Sequence, residues 1–179
     1  MTVPQETAEP APPTPSPSYP DHVLLKEAVK GDRNLSPKEM AELSDRLLTE
    51  GSSTTKEEET MARLELLLLK ALKDNEPQYR HRFLRNLGII HYHQKHYKRA
   101  RQELQAANEL NPRDARTHYY LARLLALEGA KYDRKGQKKK SRGQFKLSAT
   151  ELALARKLEP SNPLYQQDVK QLLRQDLGK

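Results

Sequence analysis

Six cations, Lys135, Lys138, Lys139, Lys140, Arg142 and Lys146, fall within twelve residues that also hold two glycines and no acid. Such a run can contact phosphates, lie against an anionic membrane surface or act as a nuclear signal. Without a partner it is a flexible, solvated turn. Three histidines, His91, His93 and His96, come nearest to a metal-binding pattern. Zinc ligands on one helix usually stand at i and i+4, whereas His91 and His93 would stand about 200° apart. No metal is assigned to them. The chain has no Gly-rich phosphate loop, no nucleophile elbow and no helix-borne His-Glu pair. Glu57, Glu58 and Glu59 read as first-turn helix residues that favour the helix dipole. These residue types point to binding, with no enzyme chemistry and no cofactor.

The bulk composition agrees. Apolar residues make up 35% of the 179 and charged residues 31%, which suits a thin helical stack better than a thick globular core. The net charge is +8. The first 21 residues contribute Glu6, Glu9 and Asp21 and no Lys or Arg, so the remainder carries +11. A basic body attracts nucleic acid, anionic membrane or an acidic protein. There are no cysteines, hence neither a disulfide framework nor a thiolate metal site. MTVPQETAEP has no basic start and no apolar run, and runs such as Leu66 to Leu69 are too short to span a bilayer. The reading is a soluble, cytoplasmic protein without a transmembrane segment.

The elements that would position these residues are helical throughout. Residues 1–20 hold seven of the twelve prolines and read as a disordered tail. A helical domain spans 21–179. Asp21 to Lys30 forms a short helix that Gly31 stops. Ser36-Pro37-x-Glu39 is a helix start, with a serine cap, proline at the first position and glutamate at the third. Met40, Leu43, Leu47 and Leu48 then form an apolar face. Lys56 to Lys73 carries a wide apolar stripe through Met61, Leu64, Leu67, Leu68, Ala71 and Leu72. Together 36–76 reads as a degenerate helix hairpin.

In His81 to Asp114, Leu84, Leu87, Gly88 and His91 share one face of a first helix. Tyr97, Ala100, Leu104 and Ala107 share one face of a second, and Asn111-Pro112 ends it. The string Leu84-x2-Leu87-Gly88-x2-His91, Ala100-x3-Leu104, Pro112 resembles the tetratricopeptide repeat (TPR), with leucine and histidine in place of its aromatics. A second copy begins at Ala115 with His118-x2-Leu121-Ala122-x2-Leu125. Its second half, Ser148-x3-Leu152-x2-Ala155-x2-Leu158-x-Pro160, arrives about fourteen residues late, so both helices of this copy are expected to be longer than usual with a basic turn between them. The reading is a repeat at 81–114, a repeat with a basic insert near Lys131 to Lys146 at 115–162, and a capping helix over 163–177. The fold class is all-α, a TPR-like superhelix of stacked hairpins.

In that family the first helix of each repeat lines a concave groove. The resemblance implies that Arg82, Arg85, Asn86, Ile89, Tyr92 and His93, then Arg116, Tyr119, Tyr120, Arg123, Ala126 and Leu127, face it. The expected site is therefore an exposed groove of arginines and tyrosines that binds an acidic or aromatic-containing segment of a partner protein. Alanine in place of Arg85, Arg116 and Arg123 should then weaken binding and leave the fold intact. A carboxylate clamp of the co-chaperone type keeps only its basic residue here, with Arg85, Ile89 and Tyr120 at the matching positions. The alternative is an RNA- or ribosome-associated factor using the basic face and the insert. Weaker readings are peripheral contact with an anionic membrane and packing against identical copies.

Overall fold

The computed structural model describes residues 20–74 and 76–178. The disordered tail expected over 1–20 lies outside the described residues except for Pro20. The described residues form eight α-helices and two short 3-10 turns and contain no strand, as the all-α reading requires.

Local chemistry sets most boundaries. Helix α1 (Asp21–Lys30) ends at Gly31, whose φ of 84° turns the chain back so that its N–H reaches Ala28. A non-glycine residue at this left-handed position would be strained. Helix α2 (Pro37–Leu47) opens with a full capping box. The Ser36 hydroxyl accepts from the Glu39 N–H at 3.3 Å, and the Glu39 carboxylate accepts from the Ser36 N–H at 2.8 Å. A 3-10 turn (Ser53–Lys56) precedes α3 (Glu58–Lys73). Helix α4 (Pro77–His93) starts four residues before His81, where the sequence pattern begins its first helix, with Pro77 in its first turn. Helix α5 (Tyr97–Leu110) follows a three-residue turn and stops at Asn111-Pro112. Asp114 caps α6 (Ala115–Arg134), accepting from the Arg116 N–H at 3.0 Å.

Helix α7 (Lys138–Leu158) changes the reading of the insert. The connection from α6 is only Lys135, Gly136 and Gln137. Lys138, Lys139, Lys140, Arg142 and Lys146 are therefore helical residues in the first turns of α7. The fourteen additional residues lengthen both helices, as expected, and the basic turn between them shrinks to three residues. Shared between two helices, they carry the hairpin about 10 Å further than a unit of ordinary length.

The expected capping helix over 163–177 is divided. Asn162 caps a 3-10 turn (Pro163–Gln166), and Asp168 then starts α8 (Val169–Leu177) with its own capping box to Gln171. Leu172 is buried while Lys170 and Arg174 stay wet.

Helices α4 and α5 pack side by side as one hairpin, and α6 and α7 as a second. Helix α5 also packs on α6, α2 and α3 both pack on α4, α1 lies on α3, and α8 lies across α6 and α7. A single cluster of buried apolar residues runs from Leu25 to Leu172. Two glycines permit close helix approach. A Cβ on Gly88 would sit 2.6 Å from Leu104 Cγ, and one on Gly129 would sit 2.7 Å from the Phe145 ring. The first is the packing role expected of Gly88. No helix among the described residues is long and apolar enough to cross a membrane.

Candidate functional site

The arginine-tyrosine face expected to be an open groove is largely buried. Arg85 is 7% exposed, Arg123 6% and Asn86 0%. Tyr92, Tyr119 and Tyr120 are buried as well, and Arg82 and Arg116 are half-buried. The guanidinium groups are already paired within the chain. Asp45, on α2, accepts from Arg82 Nη2 at 2.5 Å, from Asn86 Nδ2 at 2.7 Å and from Arg85. Arg85 Nη1 reaches Asp114 at 2.8 Å. Arg123 donates to Glu50 at 2.8 Å and to both oxygens of Asp176 on α8. Its guanidinium carbon lies 4.7 Å from the Tyr92 ring centre, 5.3 Å from Tyr120 and 5.5 Å from Tyr119. Arg116 donates to the Leu48 carbonyl, and the Tyr120 hydroxyl donates to Glu50.

The exposed groove is thus overturned. Helix α2 and the chain just after it, with α8, bring acids over this face, and each acid takes an arginine that would otherwise greet a ligand. Burial alone would raise the Asp45 carboxyl, but Arg85, Asn86 and Arg82 outweigh it and hold the group below the usual carboxylate range. Burial pushes the Tyr119 hydroxyl up to about 12. A hollow of about 300 Å³ remains on this side. Its charged lining is Asp45, Glu50, Asp114 and Glu159 against Arg85 and Arg116. It carries more acids than bases and does not suit an acidic ligand.

His91, His93 and His118 make contacts within the chain, whereas His96 is exposed. His91 is 3% exposed; its Nδ1 is 2.6 Å from Glu103 on α5 and its Nε2 3.2 Å from Glu65 on α3. The bond to Glu103 raises its pKa against the opposing effect of burial. His118 pairs with Glu151 at 2.6 Å and with the Pro112 carbonyl at 2.9 Å. His93 faces the Tyr120 hydroxyl at 3.4 Å, and burial lowers its pKa. Among the described residues, no group of three or more His, Cys, Asp or Glu could hold a metal ion.

The accessible positive charge sits elsewhere. Residues 131–146 contain Lys131, Arg134, Lys135, Lys138, Lys139, Lys140, Arg142 and Lys146 against Asp133 alone, a net +7 where the whole chain carries +8. All eight cations are exposed. Lys138 pairs with Asp133 at 2.8 Å, and Lys140 lies 5.5 Å from the Tyr132 ring centre. Beside this end is a groove of about 520 Å³ formed by the start of α5, the last turns of α6 and the end of α8. Tyr97, Leu124, Leu127, Tyr132 and Leu177 give it apolar surface, and Lys98, Arg101, Lys131, Arg134 and Lys135 give it charge. Its one acid, Glu128, is engaged by Arg101 Nη2 at 2.5 Å. Fixed cations next to apolar surface can hold an anionic segment that also carries apolar side chains.

Sequence reasoning found the cations but missed the groove. Tyr97 and Leu177 are eighty residues apart, and only their exposure, near 40% in each, distinguishes them from core residues. Comparison of the chain with known protein families, with curated proteins and with solved structures finds no match.

Proposed function

We propose that this protein is a non-enzymatic interaction scaffold built from TPR-like helix hairpins, and that it docks an acidic segment of a partner protein on the basic end of the α6–α7 hairpin. The observation that carries the reading is the charge distribution. Sixteen residues hold a net +7, and the rest of the chain sums to +1. Of the arginines of the expected groove, Arg82, Arg85 and Arg123 are meanwhile paired with Asp45, Glu50, Asp114 and Asp176, and Arg116 donates to the Leu48 carbonyl. Charge gathered on a projecting end steers an anionic partner toward it and raises the association rate. The TPR-like part of the reading is supported by the close approach at Gly88, by the short turn between α4 and α5 and by the stop at Pro112.

The test compares the full chain with a variant carrying Lys138→Gln, Lys139→Gln and Lys140→Gln in capture from native lysate, with and without nuclease. Proteins captured by the parent should be lost with the variant, survive nuclease and fall away as salt rises. Material that disappears on nuclease treatment would move the assignment to RNA.

A further inference from the structure

We infer that the groove between the start of α5, the last turns of α6 and the end of α8 is the pocket that receives apolar anchor residues of that acidic segment. This rests on the proposed reading of the basic end as a protein-docking surface, and it adds the chemistry that selects among acidic partners. Charge alone attracts any polyanion, whereas a pocket beside the charge selects.

Leu177 is 42% exposed and Tyr97 40%, and both line one hollow. Leu127 and Tyr132 add apolar surface to the same groove. The volume of about 520 Å³ accommodates two or three large side chains, and it falls in the range of formed ligand sites. Arg134 and Lys135 stand on its border and belong to the net +7 end. Glu128, the acid of the lining, is occupied by Arg101 and leaves the border cations free to meet carboxylates from outside. Charge complementarity therefore fixes the occupant as an acidic segment whose apolar side chains enter the groove lined by Tyr97 and Leu177.

The same features disfavour a nucleic acid as the occupant. A phosphate backbone would use the lysines and leave Leu127 and Leu177 unsatisfied. Successive bases would need a run of open aromatic faces, whereas Tyr132 already lies against Lys140 and leaves Tyr97 as the one exposed ring of the lining.

The test uses the full chain and two synthetic helical peptides of about fifteen residues with identical negative charge. One carries three leucines spaced i, i+3 and i+7; the other has serine in their place. Fluorescence anisotropy at low salt should show the leucine peptide binding about tenfold more tightly, as expected for burying apolar side chains. Leu177→Asn, at an exposed position, should remove most of that preference without changing affinity for the serine peptide. Arg134→Gln with Lys135→Gln should weaken both peptides alike. Equal affinity for the two peptides, or a preference that survives Leu177→Asn combined with Tyr97→Ser, would overturn the pocket while leaving the basic end as an acidic-protein site. Binding of neither peptide would overturn both. Tighter binding of a uridine oligonucleotide than of either peptide would replace the protein partner by RNA.

Discussion

Gly88 shows how one missing side chain sets a helix distance. A Cβ there would lie 2.6 Å from Leu104 Cγ and 3.2 Å from the Ala100 carbonyl oxygen. Leucine at this position should cost on the order of 1–3 kcal/mol or more, measured by urea denaturation, because the contact has no room to relax. Gly143, helical with open space around it, is the matched control. Alanine there should stabilise by about 0.5–1 kcal/mol through helix propensity. The buried histidines carry a pH signature. The bond from Glu103 raises the pKa of His91, and the bond from Glu151 raises that of His118. A histidine that holds its proton more tightly when folded stabilises fully below its unfolded pKa of about 6.5, and that stability is lost as pH rises through the folded value. Asp45, held low, works in reverse; its contribution is present above about pH 3.9 and is lost as pH falls through its folded value. Replacing His91 and His118 with glutamine should therefore cost more at pH 5.5 than at pH 8.5. An equal cost at both would contradict the assigned pairs.

At the scale of elements, one buried cation ties α8 to the chain after α2, beside the apolar contact made by Leu172. Arg123 joins Glu50 to Asp176 and lies among three tyrosine rings. Removing it leaves two carboxylates without their counter-charge in a largely buried place, a loss on the order of 3 kcal/mol. Arg123→Ala should accordingly lower stability and speed amide exchange through 169–177 first. Alanine at Arg85, Arg116 and Arg123 together should unfold the chain, in contrast to the intact fold expected of exposed groove residues. Helix α7 presents the opposite case. Its first turn carries Lys138, Lys139 and Lys140, no acid, and no side-chain cap from Gln137. Cations at a helix N-terminus oppose the dipole. Gln137→Asp should add about 1 kcal/mol, read as a higher Tm, through a cap and a better charge. On the proposed function it should also weaken acidic-peptide binding, since it lowers the charge of the docking end.

Across the whole molecule, the sign of the surface changes from place to place. The hollow lined by the end of α2, the start of α6 and the 3-10 turn after α7 has more carboxylates than guanidiniums, whereas the α6–α7 end holds +7. Association of the parent with an acidic peptide should weaken as salt is raised from 50 to about 500 mM, because exposed charges are screened within a few ångströms at the upper end. The Lys138, Lys139 and Lys140 variant should show a shallower dependence. An unchanged slope would place the proposed docking surface elsewhere on the molecule.

Much of the helical scaffold was legible from the chain itself. Ser36-Pro37-x-Glu39, Gly31, Asn111-Pro112 and Asp114 act on backbone groups only a few residues away, so local sequence suffices to place those ends. The spacing of Gly88 and Leu104 likewise encodes a contact inside one hairpin. The late arrival of Ser148 and Leu152 showed that residues were inserted and that both helices lengthen, but not how short the basic turn between them would be, since a basic run is compatible with either turn or helix. The fate of the arginines was decided by tertiary structure alone. Asp45 lies 40 residues from Arg85, and Asp176 lies 53 from Arg123. An arginine on a given helix face reads the same in sequence whether water or another helix covers it. Only the placement of α2 and α8 turned the expected groove into a buried ion-pair network and left the accessible charge at the far end of α6 and α7.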